Sequence, residues 1–129
     1  MRRPLLILAL CAVVGTVRVY GHHYFAAYYS EDQTVSVEGT LAEVDYRNPH
    51  TFVHLLAPDN RGQVQTVVAE WASPARLSQD GIAKGTLKPG DRVIVTGSPS
   101  RDPSEYKMHL KGIVRVTDGW KWAGGGQLR

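Results

Sequence analysis

Apolar and polar residues alternate along most of this chain with the two-residue period of half-buried strands, not the period of a helix. Val35, Val37, Gly39 and Leu41 share one face of a first strand, with Ser36, Glu38 and Thr40 on the other. The phase then slips to Val44 and Tyr46, and a glycine followed by a one-residue slip predicts a bulge or sharp coil in a long strand. Asn48-Pro49 breaks it. A second run, His50 to Leu56, sets Thr51, Val53 and Leu55 against His50, Phe52, His54 and Leu56. The turn composition of Pro58 to Gly62 joins it as a hairpin to a third strand over Val64 to Trp71.

Ser73-Pro74 places an N-cap residue before a proline at the first helical position, and Gly81 stops the helix after about Asp80. Leu77 is its inward residue. After the turn Lys88-Pro89-Gly90-Asp91, Val93, Val95 and Gly97 alternate along a fourth strand, and Ser98 to Glu105 reads as a loop. A fifth strand sets Met108, Leu110, Gly112, Val114 and Val116 against Lys107, His109, Lys111, Ile113 and Arg115. Trp120 and Trp122 share one side of a terminal strand. The expected fold is mainly β: a small five-stranded OB-like barrel with one short helix between strands three and four. An open half-sandwich pairing with a second copy is the alternative.

Ahead of the first strand, Met1-Arg2-Arg3 and the apolar run Pro4 to Val14 have the form of a secretory signal. The run is shorter than the ~20 residues a membrane-spanning helix needs. Cleavage after Gly21 is the expectation, with Gly15 as a second site, and the domain plan follows. Residues 1–21 form the signal peptide, 22–33 an aromatic arm, 34–122 the barrel and 123–129 a disordered tail. Processing changes the charge picture. The whole chain has a formal charge of +3, with 15 basic and 12 acidic residues. Arg2, Arg3 and Arg18 leave with the leader, so 12 basic residues then balance 12 acidic ones. A domain without net charge has no long-range field to gather phosphates, which argues against a nucleic-acid partner. The single cysteine, Cys11, leaves too, and with it disulfides, thiolate zinc sites and thiol catalysis.

His22-His23-Tyr24-Phe25-Ala26-Ala27, Val37-Glu38-Gly39-Thr40, Asn48-Pro49-His50 and Leu87-Lys88-Pro89-Gly90-Asp91 together resemble a family of small exported bacterial proteins known as a domain of unknown function. Its members open on His-His-Ser-Phe-Ala-Ala, and Tyr24 stands where they have serine. The resemblance runs from His22 to about Trp122. It implies export in a bacterium and an OB-like barrel, and it brings no reaction.

Chemistry is concentrated in the histidines. A cut after Gly21 makes His22 the first residue, whose α-amine and ring nitrogen can chelate one metal ion, copper or less distinctively zinc or nickel. His22, His23 and His50 are the candidate metal ligands, His50 because Asn48-Pro49 sets it at the mouth of the barrel. His54 is a poorer partner, since four residues of strand span ~13 Å. His54 and His109 read as surface strand residues. No carboxylate neighbours these histidines in sequence to act as a general base, and no phosphate loop, nucleophile elbow or zincin helix is present, so no catalytic residue is assigned. Phe52 and His54, on the outer face where OB barrels commonly take ligands, form a candidate ligand face with Tyr24 and Phe25 of the arm. Plugging the barrel end is the competing role for those arm rings. The expected function is a non-enzymatic exported module for an unknown small ligand or partner protein, with no membrane span after processing. Copper or zinc binding at His22 and His50 is the alternative.

Overall fold

The computed structural model describes residues 24–124 together with 126–127; the expected signal peptide, His22 and His23 lie outside the described residues. The elements run α1 (residues 24–28), β1 (Val35–Asp45), β2 (Phe52–Pro58), β3 (Val64–Glu70), α2 (Pro74–Gln79), β4 (Arg92–Pro99), β5 (Lys107–Arg115), β6 (Lys121–Ala123) and β7 (Gly126–Gln127). Length lets β1 serve two partners. Its first half pairs antiparallel with β4 and its second half with β2. β2 pairs with β3, β4 with β5, and a short parallel ladder between Val68–Glu70 and Lys107–His109 closes the circle. The result is a closed, mixed five-stranded OB-like barrel, which removes most of the exposed sheet edge.

The predicted slip in β1 is a register shift between Leu41 and Glu43. Leu41, Val53, Leu55, Val95, Leu110 and Trp71 fill the barrel, and Thr51 is buried beside them. α2 closes one side: the Ser73 hydroxyl accepts from the Arg76 amide at 3.2 Å, Pro74 starts the helix and Leu77 is fully buried. Gly81, at φ 81°, supplies the left-handed residue that ends it. The Asn48–Pro49 peptide is cis. Among the described residues no helix is long and apolar enough to cross a membrane.

Three expectations need correction. β4 runs on through Ser98 and Pro99, so the connecting loop is shorter than its composition suggested. The alternation of β5 does not hold to its end: Met108 and Leu110 are buried, but so is Ile113. Thr96 faces Gly112 while Gly97 faces Leu110, so β5 carries one extra residue there. Gly97 is what permits this bulge, because a Cβ at that position would stand 1.8 Å from the His109 carbonyl oxygen. The described part of the tail carries structure as well: β7 pairs with Trp122 and Ala123 of β6, which itself pairs antiparallel with β5.

Candidate functional site

The register sets one outward-facing row across the barrel wall. Phe52 of β2 faces Glu70 of β3, Glu70 faces His109 of β5, and His109 faces Ser98 of β4. Opposed residues of neighbouring strands project to the same side, so the neighbours of Val53, Ala69 and Met108 all point away from the core. Left bare, a carboxylate in this row would be solvated. Instead Glu70 is 1% exposed, because the arm lies over it.

Tyr29 is fully buried there, and its hydroxyl donates to Glu70 Oε2 at 2.5 Å. Tyr24 donates to Glu70 Oε1 at 3.1 Å, and His50 Nδ1 lies 2.8 Å from the same oxygen. A carboxylate only accepts, so the His50 proton sits on Nδ1. Burial pushes the Glu70 carboxyl up, but the bonds from Tyr29, His50 and Tyr24 outweigh it and hold the group below the usual carboxylate range. Burial and the same carboxylate push the Tyr29 phenol well up, so it stays a donor. Backbone bonds from Ser30 to Pro99 and from Arg101 to Tyr28 fasten the arm, as does the Arg101 guanidinium on the Ala26 carbonyl at 2.7 Å.

A second carboxylate serves the other imidazole. Glu31, just past the arm's helical turn, takes His109 Nδ1 at 2.7 Å, Lys111 Nζ at 2.6 Å and the Ser98 hydroxyl at 2.9 Å. Here too burial raises the carboxyl, and Lys111, His109 and Ser98 together bring it below its ordinary value. Burial lowers the His109 imidazole despite Glu31, favouring the neutral ring. The Phe25 ring stacks on His109, centroids 3.7 Å apart and 3° from parallel, and lies 5.0 Å from His50.

Beside this stack opens a cleft of about 440 Å³. Phe25, Ala72, Leu110 and Trp122 give it apolar walls, and His50, His109, Arg76 and Lys111 are its ionisable lining. Trp122 is held by its indole N–H on Asp80 Oδ2 at 2.9 Å, and Arg76 Nε lies 3.2 Å from the same oxygen. Thus each basic group of the lining contacts an acid that is not itself part of the lining.

Of the residues singled out in the sequence, His50 and Phe25 meet in this cleft, and Tyr24 braces it from behind. His109, read as a surface strand residue, is a half-covered member of the site. That outward residue was correctly placed on its face, but the arm that covers it comes from 78 positions earlier in the chain. The missing carboxylate partners also exist, as Glu70 and Glu31, supplied by tertiary structure. Phe52 lies apart from the cleft lining, its ring capped by the Arg47 guanidinium at 4.6 Å and near Lys107 Nζ at 5.8 Å. His54 sits one row further along, opposite Glu43 and Val68. Among the described residues no group of three or more histidine, cysteine or carboxylate side chains is placed to hold a metal ion. Arg76, Lys111 and Trp122 carried no sequence signal of a shared site.

No curated protein matches this chain. Among solved structures it is similar to apo TiaS, a tRNAIle2 agmatidine synthetase, with 23% identity and a TM-score of 0.45 over 65% of this chain and 18% of that one. It is also similar to the ZRD-deleted mutant of TiaS in complex with agmatine, with 19% identity and a TM-score of 0.48 over 70% of this chain and 26% of that one. The chain therefore spans about a quarter or less of those proteins' length. Residues 10–115, most of the sequence, match the family described as of unknown function, DUF6152, and the chain belongs to that family.

Proposed function

We propose that the protein is a non-enzymatic exported binding module whose ligand sits in the cleft between the arm, β5 and α2. The observation that carries this reading is the pair of imidazoles, His50 and His109, each with Nδ1 on a carboxylate, buried Glu70 and partly covered Glu31, and packed against Phe25. Rings clamped in this way present a fixed edge at little entropic cost on binding, which is what a preorganised site requires. A cavity of about 440 Å³ with mainly apolar walls is of small-molecule size. Export is supported by the leader pattern before His22. The test is an NMR titration with indole as a neutral ring probe: shifts confined to Phe25, His50, His109, Leu110 and Trp122 support the module. Shifts centred on Phe52 and His54 would move the site to the other part of the barrel face.

A second reading, binding of copper or zinc, rests on His50 and on covalent proximity. His22 and His23 directly precede Tyr24, whose ring lies 5.3 Å from that of His50. A carboxylate on Nδ1 leaves Nε2 with its lone pair, the usual bracing of a metal-binding histidine. Calorimetry of correctly processed protein with Cu(II) and Zn(II), against protein carrying one extra residue before His22, tests it. Equal affinity for the two forms would remove the amino-terminal chelate.

A further inference from the structure

We infer that the cleft takes a small organic acid with a ring-sized apolar body, the carboxylate directed to Arg76 and Lys111 and the ring to Phe25, Leu110 and Trp122. This rests on the proposed binding role and names the ligand class for the same site. The argument begins with sign. The ionisable groups of the lining are Arg76, Lys111, His50 and His109, and no carboxylate is among them. The acids that contact those groups stand behind the lining and are already held there by several donors each. Glu70 accepts from Tyr29, Tyr24 and His50, Glu31 from His109, Lys111 and Ser98, and Asp80 from Trp122 and Arg76. An incoming anion therefore meets donors without displacing an acid from the lining.

The permanent positive charges of the lining are Arg76 and Lys111, each ion-paired to an acid behind it. Each keeps donors beyond its existing bonds: Arg76 contacts Asp80 through Nε and leaves the guanidinium Nη groups, and the Lys111 ammonium, on the Glu31 carboxylate and backbone carbonyl, keeps one of its three protons. Both side chains are about half exposed, so they reach the ligand without the penalty of a fully buried charge.

The second part of the argument is shape. Phe25 is fixed by its stack on His109, and Trp122 is fixed by its bond to Asp80 and by an edge-to-face contact with buried Trp71, centroids 5.2 Å apart. Two anchored rings and Leu110 form a wall that an inorganic anion would leave dry and unfilled. An acid lacking an apolar body gains little here, and a ring lacking an acid gains only burial.

The test uses three probes at pH 7 on the processed protein, followed by NMR and calorimetry: indole-3-acetate, its neutral amide and acetate. Indole-3-acetate is expected to bind at least about tenfold more tightly than either of the others, as loss of a charge-assisted contact or of the ring burial implies. Arg76→Gln and Lys111→Gln, both at exposed positions that leave folding intact, should each weaken the acid about three- to tenfold and leave the amide unchanged. If the amide shifts the cleft residues as strongly as the acid, the binding role stands and the ligand class is overturned. If none of the probes shifts the cleft, both readings fall.

Discussion

Replacing Glu70 with alanine removes the acceptor on which the arm is fastened, and the structure sets the size of the effect. Tyr29 is fully buried, so its hydroxyl loses its partner with no access to water, a penalty of about 1–3 kcal/mol. Tyr24 and His50 are partly exposed and can turn to solvent, losing about 0.5–1.5 kcal/mol each. Relief from holding a buried carboxylate offsets part of this, leaving a net loss of about 2–4 kcal/mol. For a domain near 100 residues that is a fall of roughly 10–20 °C in Tm. The decisive form is a double-mutant cycle with Tyr29→Phe, read by urea unfolding. Without the orphaned hydroxyl, Glu70→Ala should cost at least about 1 kcal/mol less in the Tyr29→Phe background than alone. Additivity within about 0.5 kcal/mol would refute the claim that Tyr29 and Glu70 act as a unit.

Gly97→Ala should cost about 3 kcal/mol or prevent folding, since the new methyl meets the His109 carbonyl of a packed strand; an unchanged urea midpoint would mean the bulge can be remodelled. Acid should destabilise the protein in two stages. The folded His109 titrates below its unfolded value of about 6.5, so stability is full above that pH and declines as pH falls through the window beneath it. Glu70 and Glu31 also titrate below their unfolded value of about 4.3, so their share is kept above that pH and lost below it. Midpoints measured from pH 7.5 to 3 in the native protein and in His109→Gln should show the upper stage lost in the variant and the lower stage retained through Glu70. Phe25→Ala, which removes the lid ring from both imidazoles, should weaken indole-3-acetate at least fivefold while leaving the far-UV spectrum unchanged.

The barrel was largely legible because strand alternation and capping are local. Val53 and Leu55, Ser73 before Pro74 and buried Leu77 follow from residues within a few positions of one another. The bulge in β5 was not, because it depends on the close approach of Gly97 to the His109 backbone, a contact across two strands. The site lay further still from local pattern. Glu70 reads as the polar end of a strand, and only the placement of Tyr24 and Tyr29 over it, 46 and 41 positions away, turns it into a buried anchor. His50 and the aromatic arm could be recognised from their residue types. His109, Glu31 and Lys111 join them through tertiary contact, and a ring-rich arm with nothing yet to cover was the one sequence feature that pointed to such a surface.

Intermolecular NOEs in the complex of the protein with indole-3-acetate test the binding account most directly. The account predicts NOEs from the indole ring protons to the Phe25 and Trp122 rings and to the Leu110 methyls, all lost together in Phe25→Ala. NOEs to the Phe52 and His54 rings, with none to Trp122, would contradict it.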